Sequence, residues 1–174
     1  MSKLTAAREA EITGRLLKHW HEAVPNDRLA HLTKDTTRSF LRSLQVRLAR
    51  HNVTLGHWTF LRILWERDGM TQRELSNEAG VMEPTTVIAL RSMEAQGYIT
   101  RERAEGNRKS FFVFLTPAGK ALSKKLVPLA EEVNALAVKG LNATDVATTR
   151  RCLLVMLDNL ISDTLLNGLD GDLD

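Results

Sequence analysis

Gly80 stands between two short helical patterns, and after Gly97 the sequence switches to the alternation of β-strands. Thr71 is a good N-cap with Glu74 three residues later, a capping box, and the helix it starts turns Leu75 and Ala79 inward. Beyond Gly80, Val81-Met82-Glu83 leads to Pro84, whose fixed φ and missing N–H are harmless in a first helical turn. The second helix runs to Gln96 with Val87, Leu90 and Met93 available for packing, and Gly97 stops it. Tyr98 to Arg103 and Ser110 to Leu115 are then rich in β-branched and aromatic residues, with the turn chemistry of Glu105-Gly106-Asn107 between them. This order is a helix-turn-helix followed by a β-hairpin with a basic tip.

The flanks read as helices. From Leu4 to Trp20, Leu4, Ile12, Leu16, Leu17 and Trp20 stripe one face, and Pro25-Asn26-Asp27 ends the pattern. A second helix runs from about Leu29 to Arg50, with Leu32, Phe40, Leu41, Leu44 and Leu48 expected on the buried side and Lys34, Arg38 and Arg42 on the other. Thr54 caps a third that carries Trp58, Leu61, Ile63, Leu64 and Trp65 before Asp68-Gly69 stops it. After the hairpin, Thr116-Pro117 opens a long helix whose Leu122, Leu126, Leu129, Val133 and Leu136 form a seam suited to another helix. Gly140 ends it, and Asn142 or Thr144 starts a last helix with Val146, Leu153, Leu157, Leu160 and Ile161. The fold class expected is mostly α with a small β-hairpin wing. A winged helix-turn-helix domain occupies 53–116 and a helical dimerisation region 26–52 and 117–166, with an extra helix at 1–25 and an acidic tail at 167–174.

Composition narrows the function. A chain of 174 residues with 43% hydrophobic side chains can bury a core. Apolar runs fall short of the roughly 20 residues that cross a bilayer, and the polar start MSKLTAAREAE is unlike a secretory signal, so a cytoplasmic protein without membrane association is expected. The single cysteine, Cys152, precludes an internal disulfide and a cysteine-rich metal cage. His19 and His21 are two apart and point to different sides of a helix, against a metal pair. Without a phosphate-binding glycine loop, a nucleophile elbow or HExxH, neither an enzyme nor a cofactor is expected. Charge is uneven: residues 1–52 hold 10 basic and 5 acidic side chains, residues 70–125 hold 9 and 6, and residues 126–174 hold 3 and 8. A basic middle can meet phosphate although the whole chain is only +3.

Several stretches together resemble the MarR family of winged-helix transcription regulators. Thr54-Leu55-Gly56-His57-Trp58 is similar to the start of that family's second core helix, and Met70-Thr71-Gln72-Arg73-Glu74-Leu75 to its "(L/M)TQxEL". Glu83-Pro84-Thr85-Thr86-Val87 and Arg91 to Ile99 resemble its recognition helix and the "LExxGx(I/V)" exit, and Phe114-Leu115-Thr116-Pro117-Ala118-Gly119 its "LTxxG". The likeness covers roughly residues 30 to 162. Two departures stand out. The wing tip Glu105-Gly106-Asn107-Arg108-Lys109 keeps the cations but not the aspartate of the family's "DxR", and Ile88 stands where many members place arginine.

The residues also make their own case for double-stranded DNA. A helix fits the major groove, and Thr85 and Thr86 lie in the N-terminal turn that faces phosphate and base edges. Arg91 is the side chain of that helix able to grip guanine in a bidentate manner, while readout at Ile88 is apolar or absent. Asn107, Arg108 and Lys109 at the hairpin tip can reach a minor groove, and Gln72 and Arg73 begin the supporting helix that crosses the backbone.

The terminal helices would expose apolar stripes in a monomer, so a homodimer with a pseudo-palindromic operator is expected. The resemblance further implies a small aromatic or phenolic effector, acid or aldehyde, that releases DNA from what is then a repressor controlling aromatic catabolism. Trp20, Arg38, Phe40, Arg42, His57, Trp58 and Trp65 supply suitable walls and donors. Two other readings stay open: a redox switch at Cys152, read first as a buried thiol, and a winged helix used for protein contact.

Overall fold

The structure, a computed structural model, describes residues 29–104 and 107–169 together with residues 11, 14, 15, 18 and 20; side chains at 104, 107–110 and 166–169 lie outside that description. The chain divides into two compact units, residues 1–130 and 131–174.

In the first unit, helix α1 (Leu29–Leu48) runs into a 3-10 turn (Ala49–His51) that Asn52 reverses at a left-handed φ of 57°. Helix α2 (Leu55–Glu66) is capped as expected by Thr54, whose Oγ1 accepts from the His57 N–H at 3.1 Å. Strand β1 (Met70–Thr71), helix α3 (Gln72–Ala79), helix α4 (Glu83–Ala95), strand β2 (Ile99–Ala104) and strand β3 (Asn107–Leu115) follow, and helix α5 (Pro117–Ala137) begins here. The sheet is antiparallel in the order β1-β3-β2, with Met70 opposite Val113 and Ile99 opposite Leu115.

The core forms where α2, α3 and α4 meet this sheet. Leu48, Leu61, Leu64, Leu75, Leu90, Met93, Val113 and Leu126 are fully buried, each worth about 1.5–3 kcal/mol of transfer free energy before entropy is counted. Asp68 fastens the turn after α2 to the far end of the wing. Its Oδ1 accepts from Gly69 N at 3.0 Å and Leu115 N at 2.8 Å, and its Oδ2 lies 3.2 Å from Lys120 Nζ.

Two expectations change. Met70 and Thr71, read only as the run-up to a helix, also pair with β3, making a third strand too short to show a period. Along α1, Leu32 and Leu41 are 41% and 45% exposed, and only Leu44 and Leu48 are buried, because α1 packs on α2 through its last turns. The five described positions between residues 11 and 20 include four in helical backbone flanking the expected stripe and Trp20, also helical. The rest of the extra helix, and the tail from 170 onward, lie outside the described residues.

In the second unit, Gly140 turns the chain at φ 92° and helix α6 spans Ala143–Leu169. Asn142 is the cap: its Oδ1 accepts from Asp145 N at 2.9 Å and its Nδ2 donates to Asp145 Oδ2 at 2.7 Å. Leu153, Leu157, Leu160 and Ile161 are all exposed in the single chain, and Cys152, read as buried, is only half-buried. Among the described residues no helix is long and apolar enough to cross a membrane, and no group of three or more His, Cys, Asp or Glu could hold a metal.

Candidate nucleic-acid interface

The two helices of the helix-turn-helix are held by short-range chemistry at each end. At the start of α3, Thr71 Oγ1 accepts from Glu74 N at 3.2 Å and Glu74 Oε2 accepts from Thr71 N at 2.7 Å. The Thr71 N–H bond first, and then one that Thr71 Oγ1 donates to the same Glu74 oxygen at 2.7 Å, hold the Glu74 carboxyl below the usual carboxylate range, with a smaller contribution from nearby Arg67. At its end Gly80 adopts φ 63°, and Val81 N donates to Ser76 O at 3.1 Å. The reversal is then locked by hydroxyls: Ser76 Oγ donates to Val81 O at 2.7 Å, and Thr86 Oγ1 donates to Ser76 Oγ at 3.1 Å.

That lock decides how α4 is rotated. Thr86, Leu90 and Met93 are completely buried, whereas Met82 is 76% and Ile88 70% exposed, with Thr85 and Arg91 exposed as well. Thr86 is therefore a correction to the sequence reading. Its side chain belongs to the buried hydroxyl lock and is turned away from any groove that α4 enters. A period of four and three, through Thr86, Leu90 and Met93, carried that information in the sequence. Gln72 is half-buried with its amide oxygen shielded from solvent and without a hydrogen-bond partner, while Arg73 is exposed.

In the wing, Arg101 donates Nε–H to Glu94 Oε2 at 2.9 Å and pairs with the same oxygen through Nη2. The guanidinium carbons of Arg101 and Arg103 each lie 5.7 Å from the centre of the Phe111 ring, and Arg103 is paired across the ladder with Phe111. The sequence reading passed over both arginines, although their i, i+2 spacing on a strand places them on one face. The side chains of Asn107, Arg108 and Lys109 lie outside the described residues; their backbone begins β3.

The seven effector candidates lie as follows among the described residues. Trp20 Nε1 donates to Asp35 Oδ2 at 3.2 Å. Arg38 and Arg42 line a groove of about 420 Å³ with Lys34, Thr37, Leu41, Gln45 and Leu55. Phe40 is half-buried. Trp58 and Trp65 meet edge to face, 5.7 Å between centres, and Trp65 also borders a second cavity of about 370 Å³ with Asp68, Leu115, Lys120 and Ser123. His57 is 5% exposed, its Nε2 3.1 Å from Ser92 Oγ and its Nδ1 buried without a partner; burial lowers its pKa from the usual histidine value.

Known proteins are similar to this chain in sequence and fold. Residues 53–111 match the MarR family. The chain is 25% identical over 134 residues to the organic hydroperoxide resistance transcriptional regulator of Bacillus subtilis (strain 168), a match covering 77% of this chain and 90% of that protein. It is 30% identical over 83 residues to the homoprotocatechuate degradative operon repressor of Escherichia coli, covering 48% of this chain and 56% of the repressor. Its fold is similar to the crystal structure of a MarR transcriptional regulator from Methanosarcina mazei Go1, with a TM-score of 0.71 at 24% identity over 77% of this chain and 96% of that one.

Proposed function

We propose, on the premise that this chain belongs to the MarR family of transcription regulators, that it acts as a homodimeric repressor whose two α4 helices read a pseudo-palindromic operator. The observation that carries the reading is the outward face of α4, where Thr85, Ile88 and Arg91 are exposed while the opposite face is packed into the core. The rim is cationic, through exposed Arg73 and Arg91. Dimerisation is supported by α6, whose Leu153, Leu157, Leu160 and Ile161 leave an apolar surface that a second copy would cover.

The effector is a small aromatic acid or phenol. Arg38 and Arg42 in one groove offer paired cations to a carboxylate or phenolate, and the Escherichia coli relative is named as a homoprotocatechuate degradative operon repressor. Such a compound releases DNA by favouring a dimer whose recognition helices no longer match the groove spacing. The half-buried Cys152, beside exposed Arg151, and the hydroperoxide relative support a second reading, a thiol switch.

The test is fluorescence anisotropy with duplexes selected from a random pool. Affinity that falls steeply with salt, a dimer by sedimentation, and release by aromatic acids support the proposal. Salt-insensitive binding, or no affinity for duplex DNA, points to a protein-contact module and overturns it. Release by organic hydroperoxide that Cys152→Ser abolishes would favour the thiol switch.

A further inference from the structure

We infer that each operator half-site carries two thymines recognised through their C5 methyl groups, one against Ile88 and one against Met82. This rests on the DNA-binding reading above and specifies what that site selects.

Neither side chain serves the fold. Ile88 is 70% exposed in the middle of α4, where a β-branched residue is no better than neutral for the helix. Met82 is 76% exposed at the N-cap, with extended backbone and no side-chain cap bond, at a position where Ser, Thr, Asp or Asn would stabilise the helix. Ile88 stands on the face left outside when Thr86, Leu90 and Met93 are buried, and Met82, which precedes the helix, is left uncovered at its N-terminal end.

The surroundings indicate what covers them. Exposed Arg73 and Arg91 call for an anionic partner. On the floor of the major groove the one apolar group is the thymine methyl. Guanine, cytosine and adenine present donors or acceptors that a Met or Ile tip would desolvate without replacing. Contact with thymine is thus favoured by the methyl buried.

Met82 and Ile88 are six residues apart, roughly 9 Å along a helix axis. With α4 lying along the groove, at about 3.4 Å per base step, the two contacts fall two or three steps apart.

The experiment uses the full-length protein and duplexes it selects from a random pool. Each thymine is replaced in turn by deoxyuridine, which keeps the pairing edge and removes only the methyl. Two positions per half-site, two or three steps apart, should each lose about three- to fivefold in affinity with an unchanged salt slope. Ile88→Ala should erase the difference at one position and Met82→Ala at the other; both residues are exposed, so the fold is retained. Uridine tolerated everywhere, or losses that persist in both variants, would overturn the inference while leaving DNA binding intact. Failure to bind any duplex would overturn the DNA-binding reading itself, and a protein partner would then cover this face.

Discussion

Trp65 donates its indole N–H to the carbonyl oxygen of Gly119 at 3.0 Å, joining the end of α2 to the first turn of α5. Gly119 is itself pressed against the wing. A Cβ there would stand 2.0 Å from Tyr98 O, and Thr116 Oγ1 donates to Gly97 O at 2.6 Å while accepting from Gly119 N at 3.1 Å. The turn after α4, the last strand and α5 therefore share one junction, which requires a residue without a side chain.

Gly119→Ala should destabilise the protein by about 1–3 kcal/mol, because the backbone of Tyr98 must move to admit the methyl. Urea denaturation monitored by tryptophan fluorescence checks this. An unchanged midpoint would mean that the junction is looser than the distances indicate.

Thr86→Val keeps the shape of a buried residue and removes the donor to Ser76. Stability should fall by about 0.5–1.5 kcal/mol, with operator sequence preference unchanged. A change of preferred bases without loss of stability would return Thr86 to the DNA-reading face.

His57 is buried in its neutral form, so its pKa in the folded chain lies below that in the unfolded chain. As pH falls through the usual histidine value of about 6.5, the unfolded chain binds the proton first and stability declines until the folded pKa is passed. Above that value the residue contributes no pH dependence. Thermal melts between pH 7.5 and 5 should show the native protein losing stability faster than His57→Gln. Parallel curves would contradict this.

Arg108→Ala and Lys109→Ala should weaken binding to all duplexes alike, each lowering the slope of log affinity against log salt by about 1. Measuring the slope for a selected and a scrambled duplex separates this from base reading. Loss confined to the selected duplex would assign those side chains to bases.

The legible parts of the fold were those set by neighbours in sequence. Thr54 and Thr71 cap helices because a hydroxyl beside a first turn has only local N–H groups to satisfy, and Gly80 reverses the chain because its φ is positive. The hairpin was visible in its residue types, although the pairing of Met70 with Val113 was not, since two residues carry no period. Of the candidate interface, Arg73, Thr85, Ile88 and Arg91 are exposed as expected, and Thr86 is not.

The amino-acid order by itself determined the helix starts at Thr54 and Thr71, the turns at Gly80 and Gly97, and that a hairpin follows the paired helices, since capping, φ preference and β-propensity act over a few residues. Tertiary packing alone decided that Thr86 closes onto Ser76 and Met82 is left outside, that Asp68 reaches Leu115, and that Trp65 reaches Gly119. Those outcomes depend on how a helix is rotated against elements distant in sequence, and that rotation is set by burying the most apolar surface with every enclosed hydroxyl and N–H paired.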